Sequence, residues 1–114
     1  TYKALPINPN AIARAKNWVT EVYQHCPDIE EPNVVGDAAD GGVVFEWRNG
    51  IRGLTIYVCS DTIDYLKSWG ANMSTEMEDG DIQDIGDFLD LRLWLIDGHA
   101  KFVEMAREAM EEAL

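Results

Sequence analysis

The chain has 114 residues, with 21 acidic against 9 basic side chains and a net charge of −12, a size that holds one hydrophobic core and hardly two. Charge of that sign disfavours direct binding to nucleic acid or to an anionic membrane surface, both of which would repel it. No apolar run is long enough to cross a bilayer, and the first residues show neither a basic start nor an apolar signal-like stretch, so residues 1–114 read as one cytoplasmic domain.

Asn8-Pro9 opens the first periodic segment as an N-cap followed by proline at the first helical position. Ile12, Ala15, Val19, Val22 and Cys26 then recur at spacings of three and four, which predicts an amphipathic helix that Pro27 ends. Asp28 to Pro32 is a short acidic connection. Asn33 to Gly36 is a candidate strand. Val43, Phe45 and Trp47 alternate with Val44, Glu46 and Arg48, and Leu54, Ile56 and Val58 alternate with Thr55, Tyr57 and Cys59. Between them, Asn49-Gly50 is expected to supply the two positive-φ positions of a type I′ hairpin turn. Thr62 to Trp69 is a further candidate strand, with Ile63, Tyr65 and Lys67 on one side and Asp64, Leu66 and Ser68 on the other.

From Ser74 to Asp90 the sequence expects an acidic loop leading into an acidic helix. Phe88 to Ile96 alternates as a strand would, yet its leucines and the acids before it favour a helix, stopped at Asp97-Gly98. Phe102, Val103, Ala106, Met110 and Ala113 form the apolar stripe of a final helix. The expected fold is α+β: an N-terminal helix on a three- to four-stranded antiparallel meander, then an acidic loop and two C-terminal helices.

The order of pieces in residues 5–66 resembles a family of uncharacterised bacterial proteins often carried near mobile elements. The resemblance runs through Pro6-Ile7, Ala11-Ile12, Ala15 and Trp18-Val19, then Asp40-Gly41-Gly42-Val43-Val44-Phe45-Glu46-Trp47, then Arg52-Gly53-Leu54-Thr55-Ile56-Tyr57-Val58. It implies a helix packed against a small antiparallel sheet and brings no activity with it. The acidic segment from Ser74 onward lies outside it.

No motif for catalysis, metal or cofactor emerges. An EF-hand loop begun at Asp79 puts Asp84 where glycine is required, and one begun at Asp81 puts Arg92 where the bidentate glutamate belongs. His25 and His99 have no metal-ligand spacing, and His25 suits the C-terminal end of a helix. Cys26 and Cys59 read as reduced thiols, with a disulfide as the alternative. Cys59-Ser60-Asp61 lacks the glycines of a nucleophile elbow. Glu46 and Asp64 are carboxylates that a fold could bring together for acid–base work, though Glu46 more simply faces solvent.

What remains is charge. Residues 1–73 hold 9 acids and 6 bases, a balance of −3, whereas residues 74–114 hold 12 acids and 3 bases, a balance of −9. Glu76, Glu78, Asp79, Asp81, Asp84, Asp87 and Asp90 fall in one stretch without a basic residue, and Trp69 stands just before it as a candidate interface anchor or core-edge cap. With Asp81, Asp84, Asp87 and Asp90 spaced as one side of a helix, these residues are expected to bind a protein partner with a basic, nucleic-acid-binding surface. In its sharpest form this is a DNA mimic, an anti-defence inhibitor from a phage or mobile element. An antitoxin, an oligomeric adaptor built as a homodimer through Phe88–Ile96, and a small enzyme are the alternatives, and a merely solvated acidic face is the plain one.

Overall fold

A computed structural model describes residues 8–36 and 41–97 of the chain. The described order is α1 (Pro9–His25), β1 (Asn33–Gly36), β2 (Val43–Asn49), β3 (Arg52–Val58), β4 (Ile63–Ser68), β5 (Met77–Asp81) and α2 (Ile85–Asp97). The five strands form one antiparallel sheet in the order β1-β2-β3-β4-β5, each strand pairing with its neighbour in sequence. Both helices pack on the same face of it.

The α1 N-terminus forms as the sequence dictates. Asn8 is the N-cap, its side-chain oxygen accepting from the Asn10 N–H at 2.8 Å, with proline at the start of the first turn. The buried stripe, however, is Ala11, Ala15, Trp18 and Val22. It is rotated from the expected one, which leaves Ile12 exposed and makes Trp18 the central contact. The Trp18 ring lies 5.2 Å from Phe45, 6.2 Å from Trp47 and 5.1 Å from Phe88, centroid to centroid. Such tilted and edge-on contacts match the quadrupoles of the rings while burying large apolar area. Trp47 is core, as its alternation predicts, and its Nε1 donates to the Glu30 carbonyl at 2.8 Å, which holds the α1–β1 connection against the sheet.

Strand alternation sets the core. Val43, Phe45 and Trp47 of β2 stand opposite Val58, Ile56 and Leu54 of β3 and face the helices. The alternate residues, among them Glu46, Thr55, Tyr57, Asp64 and Leu66, face away, and no described element covers that side.

Three expectations need correction. The hairpin loop is Gly50-Ile51, because Asn49 is the last residue of β2 and pairs with Arg52. Only Gly50 has positive φ, at 64°, the pattern of a II′ turn in place of the expected I′ turn. Asn49 is held in the strand because its side-chain amide donates to the Leu95 and Ile96 carbonyls at 2.9 and 3.2 Å, and Arg52 donates to Ile96 at 3.0 Å. The hairpin tip thereby satisfies the open carbonyls at the end of α2.

The meander has five strands, the fifth, β5, lying inside the stretch expected to be an acidic loop. And helix α2 begins only at Ile85, so Asp81 sits at the end of β5 and Asp84 just ahead of the helix, off the helical row assigned to them. Phe88–Ile96 is helical, and Phe88, Leu91, Trp94 and Leu95 bury its inner face in the chain's own core. The stripe from Phe102 to Ala113 and His99 lie outside the described residues. No described helix is long and apolar enough to cross a membrane.

Candidate functional site

The seven acids and Trp69 follow one continuous path along the β5 edge of the sheet and into α2. A tight loop leads into it. The Trp69 N–H donates to the Glu76 carbonyl at 3.0 Å, the Glu76 N–H donates to the Asn72 carbonyl at 2.7 Å, and the Glu76 carboxylate accepts from the Asn72 N–H at 3.2 Å. Glu76 therefore closes the loop that turns β4 into β5. The Trp69 ring meets Trp94 edge-on at 5.9 Å and packs half-buried against the core, so it caps the core edge.

Along β5 the side chains alternate. Glu78 and Gly80 face the helices, while Met77, Asp79 and Asp81 face the side away from them. Glu78 lies opposite Lys67, the one buried charged residue among those described. The Lys67 Nζ is 3.0 Å from the Glu78 carboxylate and 5.1 Å from the centre of the Trp94 ring, and Tyr65 donates its hydroxyl to the same carboxylate at 3.1 Å. A buried ammonium needs both a counter-ion and hydrogen-bond acceptors, and Glu78 supplies them. Burial, then the Glu78 carboxylate, with Asp79 and Asp81 further off, pushes the Tyr65 phenol up from 10.0 to about 12. Gly80 stands opposite Tyr65, where a Cβ would come within 2.7 Å of the ring, so any larger residue here would have to displace the tyrosine side chain.

The α2 start uses two further acids. The Asp87 carboxylate accepts from the Gln83 and Asp84 N–H groups at 2.8 and 3.3 Å, and the Asp84 carboxylate accepts from the Asp87 N–H at 3.2 Å. This is a reciprocal capping box in which aspartates fill both roles. Asp84 also lines a cleft of about 610 Å³ shared with Arg14 of α1 and Ser60, whose carbonyl accepts from the Arg14 Nε at 3.0 Å. Asp90 is half-buried on α2.

Of the residues singled out by sequence, then, Glu76, Glu78, Asp84, Asp87 and Trp69 have structural employment. Asp79 and Asp81 remain exposed on the face of the sheet turned away from the helices, Asp81 accepting from the Gln83 side chain. The structure adds a residue that spacing along the chain hides. Asp64 of β4 stands directly opposite Asp81 in the strand register, two pairs along from Leu66 and Asp79. Like charges directly opposite each other across two strands repel, and Asp64, Asp79 and Asp81 form a compact negative patch.

The other candidates are not assembled into chemistry. Glu46 stands opposite Thr55 and Asp64 opposite Tyr57, so β3 separates the two carboxylates. His25 sits in the last turn of α1 with its Nδ1 3.0 Å from the Glu21 carbonyl. Cys26 is a buried thiol at the end of α1, and the Cys59 N–H donates to the Thr62 carbonyl at 2.9 Å to close the β3–β4 turn. Among the described residues no cluster of His, Cys, Asp or Glu is arranged to hold a metal ion. Compared with protein-family models, curated proteins and solved structures, the chain matches none.

Proposed function

We propose that this protein is an acidic binding module that docks the β4–β5 side of its sheet, with the start of α2, on a basic surface of a protein partner. The observation that carries the reading is the Asp64–Asp81 cross-strand pair with Asp79 beside it. These carboxylates are gathered on a face that no described element covers, and the chain between Lys67 and Arg92 holds no lysine or arginine. Electrostatic complementarity of this kind speeds and orients association with a basic partner. Basic surfaces of that sort are typical of nucleic-acid-binding proteins, so the reading extends to a modulator or inhibitor that occupies a phosphate-binding groove, as a DNA mimic or an antitoxin would. The contact set centres on Asp64, Asp79 and Asp81, with Asp84 and Asp90 at its rim.

The test is affinity capture from native cell lysate at low and high salt, identified by mass spectrometry, beside the Asp64→Lys, Asp79→Lys, Asp81→Lys triple variant. The expected result is a basic nucleic-acid-binding protein retained at low salt, released at high salt and missed by the variant. Undiminished capture by a folded variant overturns the reading.

A further inference from the structure

The sheet has two edges, and they are built oppositely. β5 carries Glu78, Asp79 and Asp81, and charges of that kind deter a further strand from pairing. β1, Asn33–Gly36, carries no charge, pairs among the described strands only with β2, and is exposed along its whole length, Val34 and Val35 each at 52%. An uncharged valine-rich edge is the kind that soluble proteins ordinarily cover or blunt.

Beside β1, on the helix-bearing face, lies an apolar hollow of about 190 Å³ between the C-terminal half of α1 and the sheet, lined among others by Val22, Tyr23, Ile29, Val34 and Trp47. Val34 pairs with Phe45 and so faces this hollow, whereas Val35 faces the side away from the helices. Glu31 is the one charged residue lining it. The surrounding chain is negative throughout: between Lys16 and Arg48 there are seven acids and no lysine or arginine.

We propose that β1 is a strand-addition site for an extended segment of a partner protein, apolar at alternate positions and flanked by lysine or arginine. In strand addition, main-chain hydrogen bonds to the free edge supply affinity and alternate side chains supply specificity. Here one side chain of the added strand drops into the hollow beside Val34, and a basic residue next to it meets Glu31. Charge selects the occupant. A second copy of this chain would bring two base-free acidic regions together, whereas a basic flanking sequence is attracted to the same rim. The site lies at the opposite edge of the sheet from the β4–β5 patch and does not depend on it.

The test pans a random-peptide display library against the full chain and measures the enriched peptides by fluorescence anisotropy. Peptides that alternate apolar and other residues and carry lysine or arginine are expected. Val34→Lys is expected to weaken them by at least about tenfold, as is N-methylation of alternate backbone amides in the peptide, which removes main-chain donors without changing charge. Glu31→Lys leaves strand and hollow in place and is expected to weaken basic peptides and flatten their salt dependence. The Asp64, Asp79 and Asp81 triple variant is expected to bind them within about twofold of wild type once a neutral-flanked control is subtracted. Failure to enrich any peptide, or enriched peptides indifferent to both Val34→Lys and N-methylation, overturns the proposal. So does a wild-type dimer in sedimentation that Val34→Lys returns to monomer, since a second copy would then occupy the edge.

Discussion

Lys67 is the residue on which most of the acidic edge turns. Its ammonium is buried between the Glu78 carboxylate and the Trp94 ring, and a buried charge stripped of its acceptor costs more than the pair contributes. Glu78→Ala is expected to destabilise the fold by about 1–3 kcal/mol in urea unfolding. Adding Lys67→Met, which keeps the apolar stem and removes the charge, is expected to restore most of that loss. Tyr65 shares the same carboxylate, and its phenol titrates at about 12 in the folded chain against 10.0 ordinarily. Between those values the unfolded chain has released the proton while the folded chain keeps it. The stability that Tyr65 contributes is therefore full below pH 10 and is lost as pH rises toward about 12. Urea midpoints measured across that window are expected to fall more steeply for wild type than for Tyr65→Phe.

At the scale of elements, the hairpin and α1 were legible because period and punctuation agree: two runs of alternation around a glycine turn, and a capped, proline-opened helix. Strand β5 was not. Met77-Glu78-Asp79-Gly80-Asp81 has the composition of a loop and no apolar alternation, since its inward positions hold Glu78 and Gly80. These serve Lys67 and Tyr65 of the neighbouring strand and mean nothing until that strand is paired. The same blindness hid Asp64 from the acidic patch, because cross-strand register is invisible in linear spacing. It also displaced the hairpin turn, where Asn49 answers to the end of α2, 46 residues away. The Asp64–Asp81 opposition separates a structural from a functional origin for the patch. Asp81→Asn relieves the repulsion and is expected to stabilise the fold by about 0.2–1 kcal/mol while weakening partner binding. A residue retained only for structure would show a loss of stability in the same unfolding measurement.

For the molecule as a whole, a net charge of −12 was readable at once, but its distribution was only half so. Sequence drew attention to residues 74–90, whereas folding recruits Asp64 to that patch and employs five of the eight residues singled out in loops, caps and the core edge. The two edges of the described sheet offer one apolar and one acidic surface. Every strand pairs with the next one along the chain, so the sheet assembles through local contacts. The meeting of Trp18 with Phe88 at 5.1 Å instead joins the two ends of the described chain across the whole meander. Closing that longest loop is expected to come late in folding, after the sheet has formed. Phe88→Leu is therefore expected to leave the refolding rate nearly unchanged and to speed unfolding, so the aromatic junction between the helices acts as a latch on the lifetime of the native state.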